Sequence, residues 1–221
     1  MPKPIVCLSE QLSHYLEAFR HCFSKRQWKY FVTVLLGLIE CEERKTMTGL
    51  LRVVGERISL SGLSRFLNKW PWSVAAVAET WQQRFRQRLA PQVEAEHARL
   101  KAARPKRIGR PKATVVTGYL ILDDSTHVKR YAQKMGGQGH HYSSIDKCTM
   151  PGHSLFQGLY QVEGRQYPLD PQMYIQKAVC EAEQRPFRSK VDLALDVVTT
   201  FSPLPDTHTH VLVDSWYVSK R

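Results

Sequence analysis

Two aspartate-containing segments carry the residues of this sequence best suited to chemistry. They are YLILDDST, residues 119–126, and HVLVDSWY, residues 210–217, and in each an apolar run leads into aspartate and small polar residues. If both runs are neighbouring strands of one sheet, their carboxylates lie at the same end of it. Carboxylate pairs suit Mg²⁺, which can bridge a phosphate and a water molecule. The pattern predicts a metal site, although aspartate after a strand is also a common turn or capping residue.

The elements that must position these aspartates are predicted to follow residue 113. The order β-β-β-α-β favours an α/β domain over residues 114–221, with one parallel crossover through the helix. The predicted elements are a strand at 114–122, a hairpin of 154–162 and 166–175, a helix at 190–201 and a strand at 210–213.

The N-terminal part, residues 1–98, has helical spacing and is predicted to form five helices. Residues 46–54 and 59–69 have the proportions of a helix-turn-helix, and the second helix would offer Arg65, Asn68 and Lys69 to a DNA major groove. Plain packing of a helix pair is the alternative interpretation. A capping box of Ser24 and Gln27 predicts the start of a helix before the apolar segment 31–39.

A basic segment separates the two predicted domains. It is placed at residues 99–113, where Pro105, Gly109 and Pro111 disfavour a helix. Its Gly-Arg-Pro core resembles an AT-hook, with Ile108 where that motif has arginine. Neutralisation of DNA phosphates needs no such specificity. The residues assigned to this role are Lys106, Arg107, Arg110 and Lys112.

Charge and composition restrict the class of protein further. The 221 residues carry a formal net charge of +12, which indicates a polyanionic partner without separating DNA from RNA or a membrane surface. No segment has the features of a signal peptide or the length of a membrane span. Five scattered cysteines without a C-x-x-C pair indicate reduced thiols, no structural zinc and a cytoplasmic protein.

Several motifs in order resemble the DDE transposases of bacterial insertion sequences. These are DDSTHVK, then KMGGQGHHYS, then VLVDSWY, and the N-terminal FSKRQWKYF and SRFLNKWPWS are similar to the DNA-binding part of the same proteins. The resemblance implies an RNase H-like catalytic domain with Mg²⁺ or Mn²⁺. It places the first catalytic aspartate at Asp123 or Asp124, with Asp123 favoured because the family often has glycine in the second place. Asp214 matches the second, and Lys129 and Lys134 would contact DNA phosphate.

The function that the resemblance implies for the complete enzyme is cleavage of double-stranded DNA at transposon ends and transfer of the strand into target DNA, by a homodimer in the bacterial nucleoid. In this family the third carboxylate is a glutamate well after the second aspartate. Glu163, Glu181 and Glu183 all precede Asp214. We therefore expect a transposase truncated after Asp214, with a helical DNA-binding domain and an incomplete RNase H-like domain. A non-catalytic DNA-binding remnant, acting as a repressor or competitor, is the alternative.

Overall fold

The computed structural model describes residues 9–43, 45–54, 58–103, 115–131, 135–143 and 145–217. The chain divides into two compact units, Met1–Trp81 and Gln82–Arg221, called here the N-terminal and C-terminal units. Their boundary lies inside a long helix, whereas the sequence placed a boundary at residue 98. The physical reason is that Phe85, four residues after Trp81, already stacks on Tyr167 of the C-terminal unit, with 4.6 Å between ring centroids.

The N-terminal unit is helical. Its helices are α1 (Glu10–Glu17), α2 (Lys25–Glu40), α3 (Met47–Val53), α4 (Leu60–Asn68) and the start of α5 (Val74–Ala102). The predicted capping box is present, because Ser24 accepts from the backbone of Gln27 and the Gln27 side chain accepts from the backbone of Ser24. The hydroxyls of Thr46 and Ser59 cap α3 and α4 by accepting from the backbone N–H groups of Gly49 and Gly62, so local polar residues determine where these helices begin.

An aromatic core holds α2 and α4 together. Phe23, Tyr30, Leu63 and Phe66 are buried in it. Trp72 stacks on Phe66 with 5.7 Å between ring centroids, so the Trp-Pro-Trp segment packs against this core. Burial of large aromatic rings provides much of the stability of a unit this small.

The C-terminal unit contains a six-stranded mixed sheet, formed by β1 (Val116–Val128), β2 (Gly139–Ser143), β3 (Cys148–Val162), β4 (Arg165–Pro168), β5 (Gln172–Tyr174) and β6 (Thr207–Val213). The strand order is β2-β3-β1-β6, and β4 and β5 also pair with β3. β1 and β6 are parallel, and the other pairs are antiparallel. A mixed sheet with helices is compatible with an RNase H-like domain. Two further helices of this unit are α6 (Lys177–Ala182) and α7 (Lys190–Thr200).

Several of the predicted elements need correction. β1 continues to Val128 instead of ending before Asp123, because β3 pairs with it as far as Gly152. The second arm of the hairpin is split into β4 and β5, since Pro168 and Pro171 interrupt the ladder. β2 and α6 were not predicted, because both are short. α5 extends to Ala102, through Pro91 and into the predicted linker.

The core of the C-terminal unit lies between the sheet and α7. Leu120, Leu122 and Phe156 of the sheet pack with Leu193 and Val197 of α7. In the predicted turn between β3 and β4, both Glu163 and Gly164 have a positive φ. Two-residue hairpin turns with this backbone favour glycine, which the chain has at position 164. No described helix is long and apolar enough to cross a membrane.

Candidate active site

The pairing of β1 with β6 brings two of the predicted aspartates side by side. Leu122 of β1 is paired in parallel with Val213 of β6. Asp123 directly follows Leu122 and Asp214 directly follows Val213, so the two aspartates are neighbours. Neighbouring strands lie about 4.8 Å apart, a spacing that allows two carboxylates to share one ion. Both aspartates are exposed. The geometry therefore forms an acidic, solvent-accessible site where β6 ends beside the middle of β1, called here the acidic edge.

The oxygens of this pair are available to a cation. Oδ1 of Asp123 accepts a hydrogen bond of 2.8 Å from the backbone N–H of Asp124, and Oδ1 of Asp214 accepts one of 3.1 Å from Ser215 Oγ. Within the described residues, no group donates a hydrogen bond to Oδ2 of either aspartate. An oxygen-only donor set with room for water and phosphate oxygens fits Mg²⁺ or Mn²⁺. The described residues contain no group of three or more potential metal ligands.

Asp124 lies on the opposite face of β1 from Asp123, because side chains alternate along a strand. Its Oδ2 accepts hydrogen bonds from Lys190 Nζ at 2.6 Å and Ser154 Oγ at 3.2 Å, and its Oδ1 accepts one from Tyr217 Oη at 2.8 Å. Burial acts to raise the pKa of Asp124, but the hydrogen bonds and the charge of Lys190 outweigh it and lower the pKa below its usual range. Both carboxylate oxygens are thus engaged within the protein.

Tyr217 completes this arrangement. Its ring is buried against Phe156, with 5.9 Å between ring centroids. Burial and the hydrogen bond to the Asp124 carboxylate raise the pKa of the Tyr217 hydroxyl far above its usual value, so it remains a donor throughout the physiological range. The charges of Asp124, Asp123 and Asp214 also raise the pKa of this hydroxyl.

Sequence reasoning missed Lys190, Ser154 and Tyr217 as partners of Asp124. Lys190 and Tyr217 lie 66 and 93 residues from Asp124, and no local spacing links them. One signal in the sequence pointed to Tyr217: it follows Asp214 by three residues in the Asp-Ser-Trp-Tyr segment.

The basic residues predicted after the first aspartate are dispersed. Lys129 is exposed and follows β1 directly, and its backbone N–H donates to Pro151 O at 2.8 Å. Lys134 lies outside the described residues. Of the His-His-Tyr segment, Tyr142 is exposed, whereas His141 is buried and lines a pocket together with Tyr174 and Lys190. The Nε2 atom of His141 has no hydrogen-bond partner among the described residues.

The N-terminal unit presents a second candidate surface. Arg65, Asn68 and Lys69 are exposed at the end of α4, and Asn68 Nδ2 donates to Ser64 O at 2.9 Å. The predicted DNA-binding residues of the linker, Lys106, Arg107, Arg110 and Lys112, lie outside the described residues.

A basic groove that sequence reasoning missed lies between the N-termini of α2 and α4. It has a volume of about 440 Å³ and is lined by Lys25, Arg26, Lys29, Tyr30, Ile58 and Ser59. Neither helix has an acidic residue in its first turn. The partial positive charge of two helix N-termini therefore adds to the charge of three cations. Such a potential favours phosphate groups.

Comparison with known proteins identifies a family. A sequence model of the family described as "DDE superfamily endonuclease" matches residues 18–221. No curated protein and no solved structure matches the chain. The family match covers most of the chain, including β1, β6 and both aspartates of the acidic edge. The expectation of a DDE transposase-type domain is thereby confirmed, and the chain belongs to the DDE superfamily endonucleases.

Proposed function

We propose that this protein is a transposase-type DNA endonuclease that binds double-stranded DNA at transposon ends and cuts it with a divalent metal ion. The observation that carries the proposal is the β1–β6 register, which places the exposed Asp123 and Asp214 side by side. The match to the endonuclease family supports DNA as the substrate. The acidic edge has the oxygen donors that Mg²⁺ or Mn²⁺ requires.

Asp123 and Asp214 are the residues that would hold the ion. When bound, Mg²⁺ or Mn²⁺ polarises a phosphodiester and lowers the pKa of a bound water. Asp123 is proposed as the first ligand in preference to Asp124, because both oxygens of Asp124 accept hydrogen bonds from protein groups. Asp124 instead acts as an internal anchor, which means that its hydrogen bonds connect β1 to Ser154, Lys190 and Tyr217.

The N-terminal unit is proposed to bind the DNA, and a homodimer would hold two transposon ends. The contacts would come from the basic groove, from Arg65, Asn68 and Lys69 of α4, and from the linker. The groove supports this role because three cations face one space with two helix N-termini. Lys129 and Lys134 are proposed to contact DNA phosphates.

The test is the affinity of the 221-residue chain for Mn²⁺, measured by calorimetry or by the loss of the free-ion paramagnetic resonance signal. We expect wild type to bind, and Asp123→Asn and Asp214→Asn each to weaken binding by at least the roughly tenfold typical of damage to a metal site. Asp206→Asn is the matched control, since Asp206 is exposed and directly precedes β6, at the opposite end of that strand from Asp214. Equal affinities in all four proteins would overturn the proposal.

Cleavage is measured separately on duplex DNA that carries the transposon ends, with Mg²⁺ or Mn²⁺. Metal-dependent strand breaks that disappear in Asp214→Asn would support the endonuclease. Metal binding and DNA binding without strand breaks would favour the non-catalytic DNA-binding role for this chain.

A further inference from the structure

We infer that Tyr217 is a positioning residue: its hydrogen bond to Asp124 holds Asp214 at the acidic edge. The inference rests on the proposed function, because Asp214 is taken there as a metal ligand. It adds a role for two residues, Tyr217 and Asp124, on the face of the sheet opposite to the ligands.

The need for such a residue follows from where β6 ends. β6 stops at Val213, and among the described strands it pairs only with β1. Asp214 is therefore beyond the last ladder hydrogen bond of a strand that is paired on one side. Its side chain keeps a constant position only if the residues that follow are held by other contacts.

Two contacts of Tyr217 supply that restraint. Its backbone N–H donates to Asp214 O at 3.0 Å and closes the short 3₁₀ turn Ser215–Tyr217. Its hydroxyl donates to Asp124 Oδ1 at 2.8 Å, and its ring packs in the core against Phe156. The turn that begins at Asp214 is thus attached to β1 through the Tyr217 side chain.

Asp124 is itself held in a fixed orientation. Lys190, the first residue of α7, donates to its Oδ2 at 2.6 Å, and Ser154 of β3 donates to the same atom at 3.2 Å. Oδ1 therefore faces Tyr217 while Asp123, one residue earlier, faces the other side of β1. One strand segment carries the first ligand and the acceptor that positions the second.

A conservative substitution isolates this hydrogen bond. Tyr217→Phe removes the hydroxyl and keeps the buried ring. Tyr160→Phe is a closely matched control, because Tyr160 is also buried and its hydroxyl contacts Thr207 Oγ1 at 3.2 Å, at the opposite end of β6. Both variants are expected to lower the thermal midpoint of the full chain.

Mn²⁺ affinity is the readout that separates positioning from stability. We expect Tyr217→Phe to weaken Mn²⁺ binding by about tenfold or more, as for other groups that orient metal ligands. Tyr160→Phe is expected to keep the wild-type affinity. Asp124→Asn is the second variant. The double variant, Asp124→Asn with Tyr217→Phe, should bind Mn²⁺ no more weakly than the single variant with the lower Mn²⁺ affinity, since both substitutions remove the same contact.

The outcomes distinguish the two proposals. If Asp214→Asn loses Mn²⁺ but Tyr217→Phe keeps wild-type affinity, or if the losses in the double variant are additive, the positioning role is wrong and the metal site stands. If the wild type fails to bind Mn²⁺, or Asp123→Asn and Asp214→Asn bind it normally, the proposed function itself is wrong. Equal weakening in Tyr217→Phe and Tyr160→Phe would show a general effect of stability and would also overturn the positioning role.

Discussion

Asp123 and Asp124 are adjacent in the chain and have opposite environments. Asp123 is exposed, whereas the side chain of Asp124 is 13 % exposed and paired with Lys190. The two-residue period of a strand separates them, because each successive side chain faces the other side of the sheet. Identical residue types can therefore take the roles of metal ligand and internal anchor within one strand.

His141 provides a prediction about pH at the same scale. Burial lowers its pKa, and the charges of Lys190, His153 and His140 lower it further, against the opposing charge of Asp124. The unfolded chain takes up a proton near pH 6.5, roughly the ordinary histidine value, while the folded chain resists protonation. The contribution of His141 to the free energy of unfolding is therefore present above about pH 6.5 and is lost as the pH falls below that value.

We expect the free energy of unfolding of the wild type to fall more steeply between about pH 7.5 and about pH 5 than that of His141→Gln. Urea denaturation at several pH values measures the difference. His208→Gln, at an exposed position, is the control. Identical pH profiles for wild type and His141→Gln would contradict the prediction.

At the scale of elements, helix starts were predictable and short strands were not. The Ser24 and Gln27 capping box determines the start of α2 through contacts only three residues apart. β2 and β5 have five and three residues, and they are strands only because β3 offers them partners. A strand this short contains no period that a sequence pattern can reveal.

The contact of α2 with α4 leads to a further prediction. A Cβ atom at Gly62 would lie 2.1 Å from the Tyr30 hydroxyl oxygen. In an open helix, Gly→Ala stabilises by about 1 kcal/mol. Here we expect Gly62→Ala to destabilise by about 1–3 kcal/mol, because α2 and α4 must move apart.

Tyr30→Phe should recover part of that loss, since it removes the nearest atom. Thermal or urea unfolding of the two single variants and the double variant measures the coupling. A Gly62→Ala protein as stable as the wild type would show that the helices are less closely packed than the structure indicates.

At the scale of the whole molecule, the net charge of +12 predicts strongly salt-dependent DNA binding. The logarithm of the affinity should fall with the logarithm of salt concentration by about 0.9 for each phosphate neutralised. If the basic groove binds the backbone, replacing Lys25, Arg26 and Lys29 by glutamine should reduce that slope by up to about 2.7.

Mobility shifts over a range of salt concentrations test this prediction. A triple variant with the same net charge, Lys147→Gln, Arg165→Gln and Lys177→Gln, is the control, because these exposed residues lie outside the groove. Equal changes of slope in both triple variants would mean that total charge, and not the groove, determines the affinity.

The sequence by itself determined the family resemblance, the three aspartates and most helices, because ordered motifs, capping residues and helical spacing are local properties of a chain. Only the tertiary structure decided which aspartate is exposed and which is anchored. That distinction depends on the β1–β6 register and on the contacts of Asp124 with Lys190 and Tyr217, 66 and 93 residues away. Contacts over such separations are created by strand pairing and core packing, and no local pattern in the chain encodes them.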